Sequence, residues 1–233
     1  RFSKKDISVY TPYSILNLFK TREFNNYWFE TATPTFLLDL IKKRKYDIRK
    51  LEGIILTEDD FAGYDIETMQ LPPLLYNTGY ITIGQIAKQA DRSTKYQMCY
   101  PNYEVRNSFL RSVAKHFTGY DESINVYVDN LKQALEAEDM DRFVSVLRTV
   151  FASIPYDVNP TGTQLYKAIK LESYYQTLLY AILKVTGMQV SAEERTNRGR
   201  IDLVIEVSKS IYIFEMKVDM SPKDAIAQIK DKG

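Results

Sequence analysis

The sequence predicts a fold of the α/β (α+β) class, and three observations lead to this prediction. Apolar residues recur at helical spacing in the first 50 residues and again over residues 103–186. Two apolar segments, 201–207 and 211–218, flank a short polar stretch, which is typical of a β-hairpin. The long apolar helix predicted over 164–186 directly precedes this hairpin. We therefore expect a sheet flanked by helices.

Length, composition and net charge limit the classes of protein to which this chain can belong. A length of 233 residues allows one or two domains, and 26% charged with 45% hydrophobic residues is ordinary for a soluble globular protein. The net charge of +1 gives no global basic field that would attract nucleic acid. The single cysteine, Cys99, excludes an intramolecular disulfide and fits a reducing cytoplasm. No apolar stretch approaches the ~18 residues of a membrane span. We predict a cytoplasmic protein that does not enter the membrane.

Residues 1–50 are predicted to form short helices with aromatic anchors. Proline at the first turn marks two helix starts, at Pro12 and at Pro34, and the second helix is expected over 35–43. The densest basic run, between Lys42 and Lys50, follows at the C-terminal end of that helix, where cations favour the helix dipole. We interpret this run as a solvated surface in preference to a nucleic-acid contact.

Residues 51–105 change character towards strands. A short strand is predicted at 54–56, and a helix over 71–79 ends at a glycine. Strands at 80–83 and 95–100 are predicted to be joined by a polar loop at 84–94. A helix followed by such a hairpin resembles a winged-helix arrangement. Modules of this kind bind DNA in some proteins and only pack against their neighbours in others.

Four amphipathic helices are predicted after this region, over 103–118, 122–138, 139–153 and 164–186. The last is strongly apolar, and a glycine ends it. A strand over 188–193 then begins the second sheet.

The hairpin that follows carries the candidate chemistry. If Val207 pairs with Ser210 across a two-residue turn, Asp202 falls opposite Glu215 on one face, and Lys217 shares that face because side chains on a strand alternate. Two carboxylates repel each other unless a cation joins them, and such oxygen ligands suit Mg²⁺ or Mn²⁺. Lys217 could steady a phosphate or help to position an attacking water. The alternative is a solvated face, since an acid and a lysine two residues apart are common on strands.

Two further features favour the metal site. Residues 210–214 are almost wholly apolar, which predicts a central strand buried on both faces, with the charges at its end. Glu172, on the long helix before the hairpin, is a candidate for a further ligand.

Three arginines precede Asp202 at the mouth of this predicted site: Arg195, Arg198 and Arg200. Arginine holds a phosphodiester backbone through paired hydrogen bonds. We favour this phosphate interpretation over a solvated loop because the arginines adjoin the acids.

The pattern Asp202…Glu215-Met216-Lys217, after a helix with Glu172, resembles the PD-(D/E)XK nuclease superfamily over about residues 104–233. The sequence around these motifs resembles a bacterial family in which an AAA-ATPase-like domain precedes the nuclease-like domain. The sequence of residues 1–50 resembles the last portion of that ATPase-like domain. The resemblance implies an AAA-ATPase-like remnant with a winged-helix-like segment over 1–100, and a restriction-endonuclease-like core with a mixed sheet over 101–233.

The resemblance also implies roles for single residues. Asp202, Glu215 and the backbone carbonyl of Met216 would bind a divalent metal, Mg²⁺ or Mn²⁺, and Lys217 would assist the nucleophilic water. Glu172 matches a helix acid that some members use. Gln228 matches a glutamine that many members carry after the lysine.

One expected motif is missing, and it limits the prediction. The sequence has no phosphate-binding Gly-x-x-x-x-Gly-Lys-Ser/Thr loop, so we predict no ATP site. Together with a first residue, Arg1, that is not methionine, this suggests a fragment or a protein whose ATPase half is missing. The sequence ends at Gly233, in or just after a predicted helix, whereas the core of the superfamily continues with a further strand, so we expect a nuclease sheet that is incomplete at one edge.

The leading functional hypothesis is a metal-dependent nuclease that hydrolyses DNA and is normally coupled to the ATPase-like domain. The alternative is a non-catalytic DNA-binding or regulatory module of an ATPase, and a role in defence is a third. The implied partner is nucleic acid, DNA in the first place, and a homo-oligomer is left open.

Overall fold

The computed structural model describes residues 10–25, 27, 35–61, 70–91, 93–119, 124–154, 164–196, 199–208, 210–217, 223, 226, 227 and 230. It confirms the α+β class, with helices and two three-stranded antiparallel sheets. The chain divides into two compact units. The first comprises Arg1–Thr35 and Lys50–Phe109, and the second Phe36–Arg49 and Leu110–Gly233, as far as these are described. The functional division at residues 100 and 101 stays a prediction.

The helices are α1 (Pro12–Thr21), α2 (Thr35–Arg44), α3 (Leu71–Asn77), α4 (Tyr103–Thr118), α5 (Ile124–Glu136), α6 (Met140–Ala152) and α7 (Gln164–Val185). The strands are β1 (Ile55–Thr57), β2 (Thr82–Lys88), β3 (Thr94–Cys99), β4 (Gln189–Thr196), β5 (Gly199–Val207) and β6 (Ser210–Phe214). Short 3-10 helices occupy Ile48–Lys50 and Asp59–Phe61. None of the helices in the described ranges has the length and apolar character needed to cross a membrane.

The first unit is organised around the sheet β1-β3-β2. Phe61 packs edge-on against Tyr96 of β3, with ring centroids 5.6 Å apart, and against Tyr76 of α3 at 5.2 Å. Such aromatic pairs add about 0.5–1.5 kcal/mol each beyond the area that they bury. The Tyr96 hydroxyl donates a hydrogen bond to Glu58 over 3.0 Å. Aromatic packing and side-chain hydrogen bonds therefore both stabilise this sheet.

The polar loop predicted over 84–94 is wrong in its extent. Strand β2 continues through Gly84 as far as Lys88, with a β-bulge between Ile83 and Gln85. A side chain at Gly84 would bring its Cβ within 3.0 Å of the Cys99 sulfur, so glycine here permits close approach of two strands. The sequence interpretation took this glycine as the start of a loop, but it is the site of a bulge.

The second unit packs its helices against the sheet β4-β5-β6. Helix α7 is the core of this unit, and Leu178, Ile182 and Leu183 on it are fully buried. Burial of each such side chain stabilises the fold by about 1.5–3 kcal/mol. The ring of Tyr174 on α7 stacks on Phe117 of α4 at 4.7 Å. Helix α7 thus has a fixed rotation about its own axis, which decides where its few polar residues point.

The hairpin register predicted from the sequence is confirmed. Val207 pairs with Ser210 and Leu203 pairs with Phe214. Ser208 lies in the left-handed region, with φ of 48°, as tight hairpin turns require. Two contacts tie β6 to the helices. Phe214 lies 5.5 Å from Phe143 of α6, and the hydroxyl of Tyr212 donates to the Leu135 carbonyl of α5 over 2.9 Å.

Two predictions about β6 are wrong. The strand ends at Phe214, so Glu215 and Lys217 follow it and do not belong to it. Strand β6 is also an edge strand among the described residues, and Ile211 and Ile213 are 68% and 44% exposed. An apolar strand sequence indicates two buried faces only if a further layer covers both faces. Here the helices cover the face of Tyr212 and Phe214. The described strands of this sheet are antiparallel, not mixed.

Candidate functional site

The end of the β5–β6 hairpin brings Asp202 and the segment after β6 together. Asp202 lies one position beyond the last hydrogen-bonded pair, Leu203–Phe214, so Glu215 is its nominal partner across the hairpin. The backbone N–H of Met216 donates to the Asp202 Oδ2 atom over 3.0 Å. This bond fixes the chain after β6 beside the aspartate even though the strand has ended.

Lys217 forms ion pairs with two acids. Its Nζ atom lies 3.1 Å from Glu215 Oε1 and 3.4 Å from Glu172 Oε1. The Glu215 side chain is only 1% exposed and that of Lys217 is 15% exposed, so water screens the first pair weakly. Glu215 therefore keeps a buried charge that Lys217 neutralises.

The charge on Lys217 is strongly favoured. Burial by itself lowers the pKa of Lys217, but the hydrogen bond to Glu215 and the charges of Glu172, Glu215 and Asp202 outweigh burial and raise the pKa above 10.5. At neutral pH the ammonium group is fully protonated. It acts as a cation and hydrogen-bond donor, and it is no proton acceptor.

Helix α7 supplies the other side of the site through Glu172 and Gln176. Residues four apart on a helix lie on the same face, and here the Gln176 Nε2 atom lies 3.4 Å from Glu172 Oε1. The same Nε2 atom donates to Asp202 Oδ2 over 2.8 Å. Glu172 and Gln176 therefore both face the hairpin acids.

An arginine and an aspartate from near the start of the second unit complete the cluster. Arg49 donates to both carboxylate oxygens of Asp47, at 2.8 and 2.9 Å, and its Nη2 atom also donates to Gln176 Oε1 over 2.7 Å. The side chains of Arg49 and Asp47 are 3% and 9% exposed. The basic run before Lys50 was interpreted as a solvated surface, and for Arg49 this is wrong because Asp47 compensates its charge inside the protein.

The donor set fits a divalent cation bound by few protein ligands. Among the residues with described positions, no group of three acidic, histidine or cysteine side chains could hold a metal ion by itself. Mg²⁺ is commonly held by one or two carboxylates and completes its shell with water and substrate oxygens. Asp202 and the buried carboxylate of Glu215 match that pattern. The predicted contribution of the Met216 carbonyl remains a prediction.

The arginines and Gln228 cannot be placed in this site. Arg198 and Gln228 lie outside the described residues, as do the side chains of Arg195 and Arg200. The backbones of Arg195 and Arg200 pair directly across β4 and β5, beside the turn of that hairpin, and Arg200 precedes Asp202 by two residues on β5.

Sequence reasoning missed the residues that support the acids. Gln176 lies on the strongly apolar helix over 164–186, and no function was predicted for it from the sequence. Asp47 and Arg49 lie within the basic run between Lys42 and Lys50, which was interpreted as a solvated surface. One signal was available: an aspartate two residues before an arginine, with apolar Ile48 and Leu51 around it, indicates a compensated pair at a buried turn.

One part of the chain matches a known protein superfamily. Residues 170–233 match the family model of the PD-(D/E)XK nuclease superfamily, and this match indicates a nuclease-type function for that part. The matched region contains Gln176, Asp202, Glu215 and Lys217, and the α+β architecture is consistent with a restriction-endonuclease-like fold. Nucleases of this type generally use divalent metal ions.

A longer relative matches almost the whole chain. The chain is 33% identical over 231 residues to "Uncharacterized protein in vnfD 5'region" of Azotobacter chroococcum mcd 1. The match covers 97% of this chain but 43% of the relative, so the chain spans less than half of that protein. No solved structure matches the chain.

Proposed function

We propose that this protein is a metal-dependent nuclease that hydrolyses phosphodiester bonds of DNA with Asp202, Glu215 and Lys217. The observation that supports this most is the ion pair between Lys217 and the buried Glu215, beside an Asp202 whose carboxylate is held by two donors. Burying such charges costs free energy, so a site that keeps them needs a compensating function or partner. The match of residues 170–233 to a nuclease superfamily gives the reaction class.

Lys217 contributes positive charge to the reaction. In hydrolysis, a water oxygen forms a bond to phosphorus, the bond from phosphorus to one ester oxygen breaks, and the leaving oxygen takes up a proton. Negative charge grows on the phosphoryl oxygens during this step, and a fixed cation stabilises it. Because its pKa is raised, Lys217 stays charged throughout and serves this purpose.

Asp202 and Glu215 would hold the divalent ion, with the Met216 carbonyl as a further ligand. The predicted metal contact of Glu172 is not supported, because the described acids form no three-membered ligand group. A bound ion lowers the pKa of a coordinated water and neutralises charge on the phosphate. Glu172 already shares Lys217 with Glu215. It would therefore orient the lysine.

DNA as the substrate and the coupling to an AAA-ATPase-like domain are the finer parts of this proposal. Arg195, Arg198 and Arg200 would bind the phosphodiester backbone, because they precede Asp202 in sequence. The additional length of the relative leaves room for an ATPase-like domain. The winged-helix-like segment of the first unit would add a second DNA contact.

Cleavage of plasmid DNA tests the proposal. Parent protein is expected to nick or linearise the plasmid in Mg²⁺ or Mn²⁺ and to lose this activity in chelator, and Asp202→Ala should be inactive in both metals. The matched control is Asp129→Ala, which removes an exposed acid of α5 in the same unit and should leave cleavage unchanged. An RNA substrate assayed in parallel tests the preference for DNA.

Two results would contradict the proposal. Equal cleavage by parent and Asp202→Ala would place the activity elsewhere. Salt-sensitive DNA binding that survives replacement of both Asp202 and Glu215 by alanine, with no cleavage by the parent, would favour the non-catalytic module instead.

A further inference from the structure

Gln176 is the buried polar residue that connects the proposed metal acids to the rest of the second unit. It is 5% exposed, and its amide makes two short hydrogen bonds in opposite directions. Its Oε1 atom accepts from Arg49 over 2.7 Å, and its Nε2 atom donates to Asp202 over 2.8 Å. The nuclease mechanism proposed above does not use this residue.

The orientation of the amide follows from the chemistry of its neighbours. Arginine has only hydrogen-bond donors, so the Gln176 carbonyl must face Arg49. The NH₂ group then points towards the Asp202 and Glu172 carboxylates, which in the ionised form can only accept hydrogen bonds. Arg49 is itself held on both oxygens of Asp47, so it cannot turn away. Asp47, Arg49 and Gln176 form a directed chain that ends on Asp202.

The two donors that reach Asp202 contact the same oxygen. Among the described residues, Gln176 Nε2 and the Met216 N–H both donate to Oδ2, and neither donates to Oδ1. Two donors on one oxygen fix the rotation of the carboxylate about its Cβ–Cγ bond. The second oxygen, Oδ1, is thereby presented to a cation.

We infer that Gln176 is a positioning residue that holds the Asp202 carboxylate in the rotation that binds the divalent metal through Oδ1. This inference rests on the proposed function, since it concerns the same metal site. Residues that hold a metal ligand by a hydrogen bond change metal affinity by about 10- to 100-fold when they are replaced. Gln176 is therefore expected to set metal affinity without itself contacting the metal or the DNA.

Calorimetric titration with Mn²⁺ tests the inference on the full chain. Gln176→Met keeps the length of the side chain and removes both hydrogen bonds, and it should weaken Mn²⁺ binding about 10- to 100-fold relative to the parent. High Mn²⁺ concentrations should then restore DNA cleavage, because the lysine and the metal acids are intact. A residue with a purely structural function would not show this restoration.

Gln133→Met is the matched control. Gln133 on α5 also accepts a hydrogen bond from an arginine, Arg142, over 3.0 Å, but this pair is exposed. Its replacement should leave Mn²⁺ affinity within about twofold of the parent. If Gln176→Met does not unfold cooperatively, Gln176→Asn takes its place. Asparagine retains the amide but withdraws it from Asp202 by one methylene, so a loss of about tenfold is expected.

The outcomes separate this inference from the proposed function. Parent protein that binds Mn²⁺ and cuts DNA, with a Gln176 variant that binds Mn²⁺ as tightly, overturns the inference and leaves the nuclease proposal standing. Parent protein that neither binds Mn²⁺ nor cuts DNA overturns both. Weaker binding in the folded Gln176 variant, with Gln133→Met unchanged, supports the inference.

Discussion

The two sheets of this protein have the same size and strand direction but different chemistry at their ends. Both are three-stranded and antiparallel. The sheet β1-β3-β2 of the first unit is held by the aromatic contacts of Phe61, Tyr76 and Tyr96. In the sheet β4-β5-β6 of the second unit, β5 carries Asp202, and Glu215 and Lys217 follow the end of β6. Sheet architecture alone therefore does not indicate a site.

The difference lies in what compensates buried charge. In the first unit the hydroxyl of Tyr96 donates a hydrogen bond to an exposed acid, Glu58. In the second unit the buried Arg49 and the buried Glu215 each have an oppositely charged partner, Asp47 and Lys217. A buried charge pair is a weak source of stability compared with apolar packing, but breaking one is costly. Among the described residues, these two buried ion pairs lie in the second unit.

Breaking the buried pair should have the largest effect. Arg49→Met leaves the Asp47 carboxylate buried without its arginine, so the free energy of unfolding should fall by about 3–5 kcal/mol. Tyr96→Phe, the counterpart in the first unit, removes one hydrogen bond to an acid and should cost about 1.5 kcal/mol. Urea denaturation of both variants measures the difference. Equal losses would mean that the two units are stabilised in the same way.

Loss of the site lysine should come next and should affect activity more than stability. Lys217→Ala is expected to lower DNA cleavage about 100- to 1000-fold, because a fixed charge that stabilises the transition state is removed. Its counterpart Lys20→Ala, at an exposed position of α1 in the first unit, should leave the rate within about twofold. Single-turnover cleavage with saturating Mg²⁺ measures both. A larger loss for Lys20→Ala would move the active site to the first unit.

The smallest effect concerns two tyrosines at high pH. Burial, with the charge of Asp47 as a second cause, raises the pKa of Tyr46 in the second unit to about 12, and burial raises that of Tyr80 in the first unit to about 12. Above pH ~10 the unfolded chain loses the tyrosine proton while the folded protein keeps it. Stability from each group is therefore full below pH ~10 and is lost as the pH rises towards 12.

Replacing each tyrosine by phenylalanine tests this. Between pH 9 and pH 12, the free energy of unfolding of Tyr46→Phe should rise by about 2 kcal/mol relative to that of the parent. Tyr80→Phe should change in the same direction. Denaturation curves at each pH give the values, and curves that stay parallel for parent and Tyr46→Phe would contradict the assigned cause.

Local patterns predicted much of the second unit. Helix α4 has the predicted bounds, and the hairpin has the predicted Val207–Ser210 pair, because helical periodicity and turn chemistry act over a few residues. Four site residues were selected from the sequence: Asp202, Glu215, Lys217 and Glu172. In the structure the charges of the three acids act on the Lys217 ammonium group. Their metal and catalytic roles remain predictions.

Local sequence patterns could not predict contacts between residues that are distant in the sequence. Arg49 meets Gln176 across 127 positions of sequence, and no local periodicity records that contact. The burial of β6 depends on which layers cover it, so its apolar sequence overstated how buried it is. Gly84 was ambiguous for another reason, since glycine serves both loops and bulges.

The discontinuous composition of the second unit has a practical consequence for dissecting the protein. Residues 36–49 belong to that unit although residues 50–109, of the first unit, separate them from the rest of it. A truncation that starts at residue 101 would retain Asp202 and Lys217 but delete Asp47 and Arg49. Inactivity of such a shortened protein would not count against the nuclease proposal, because Gln176 would lack its hydrogen bond from Arg49. A linker that joins residues 36–49 to residues 103–233 would keep Asp47, Arg49 and the whole of α4.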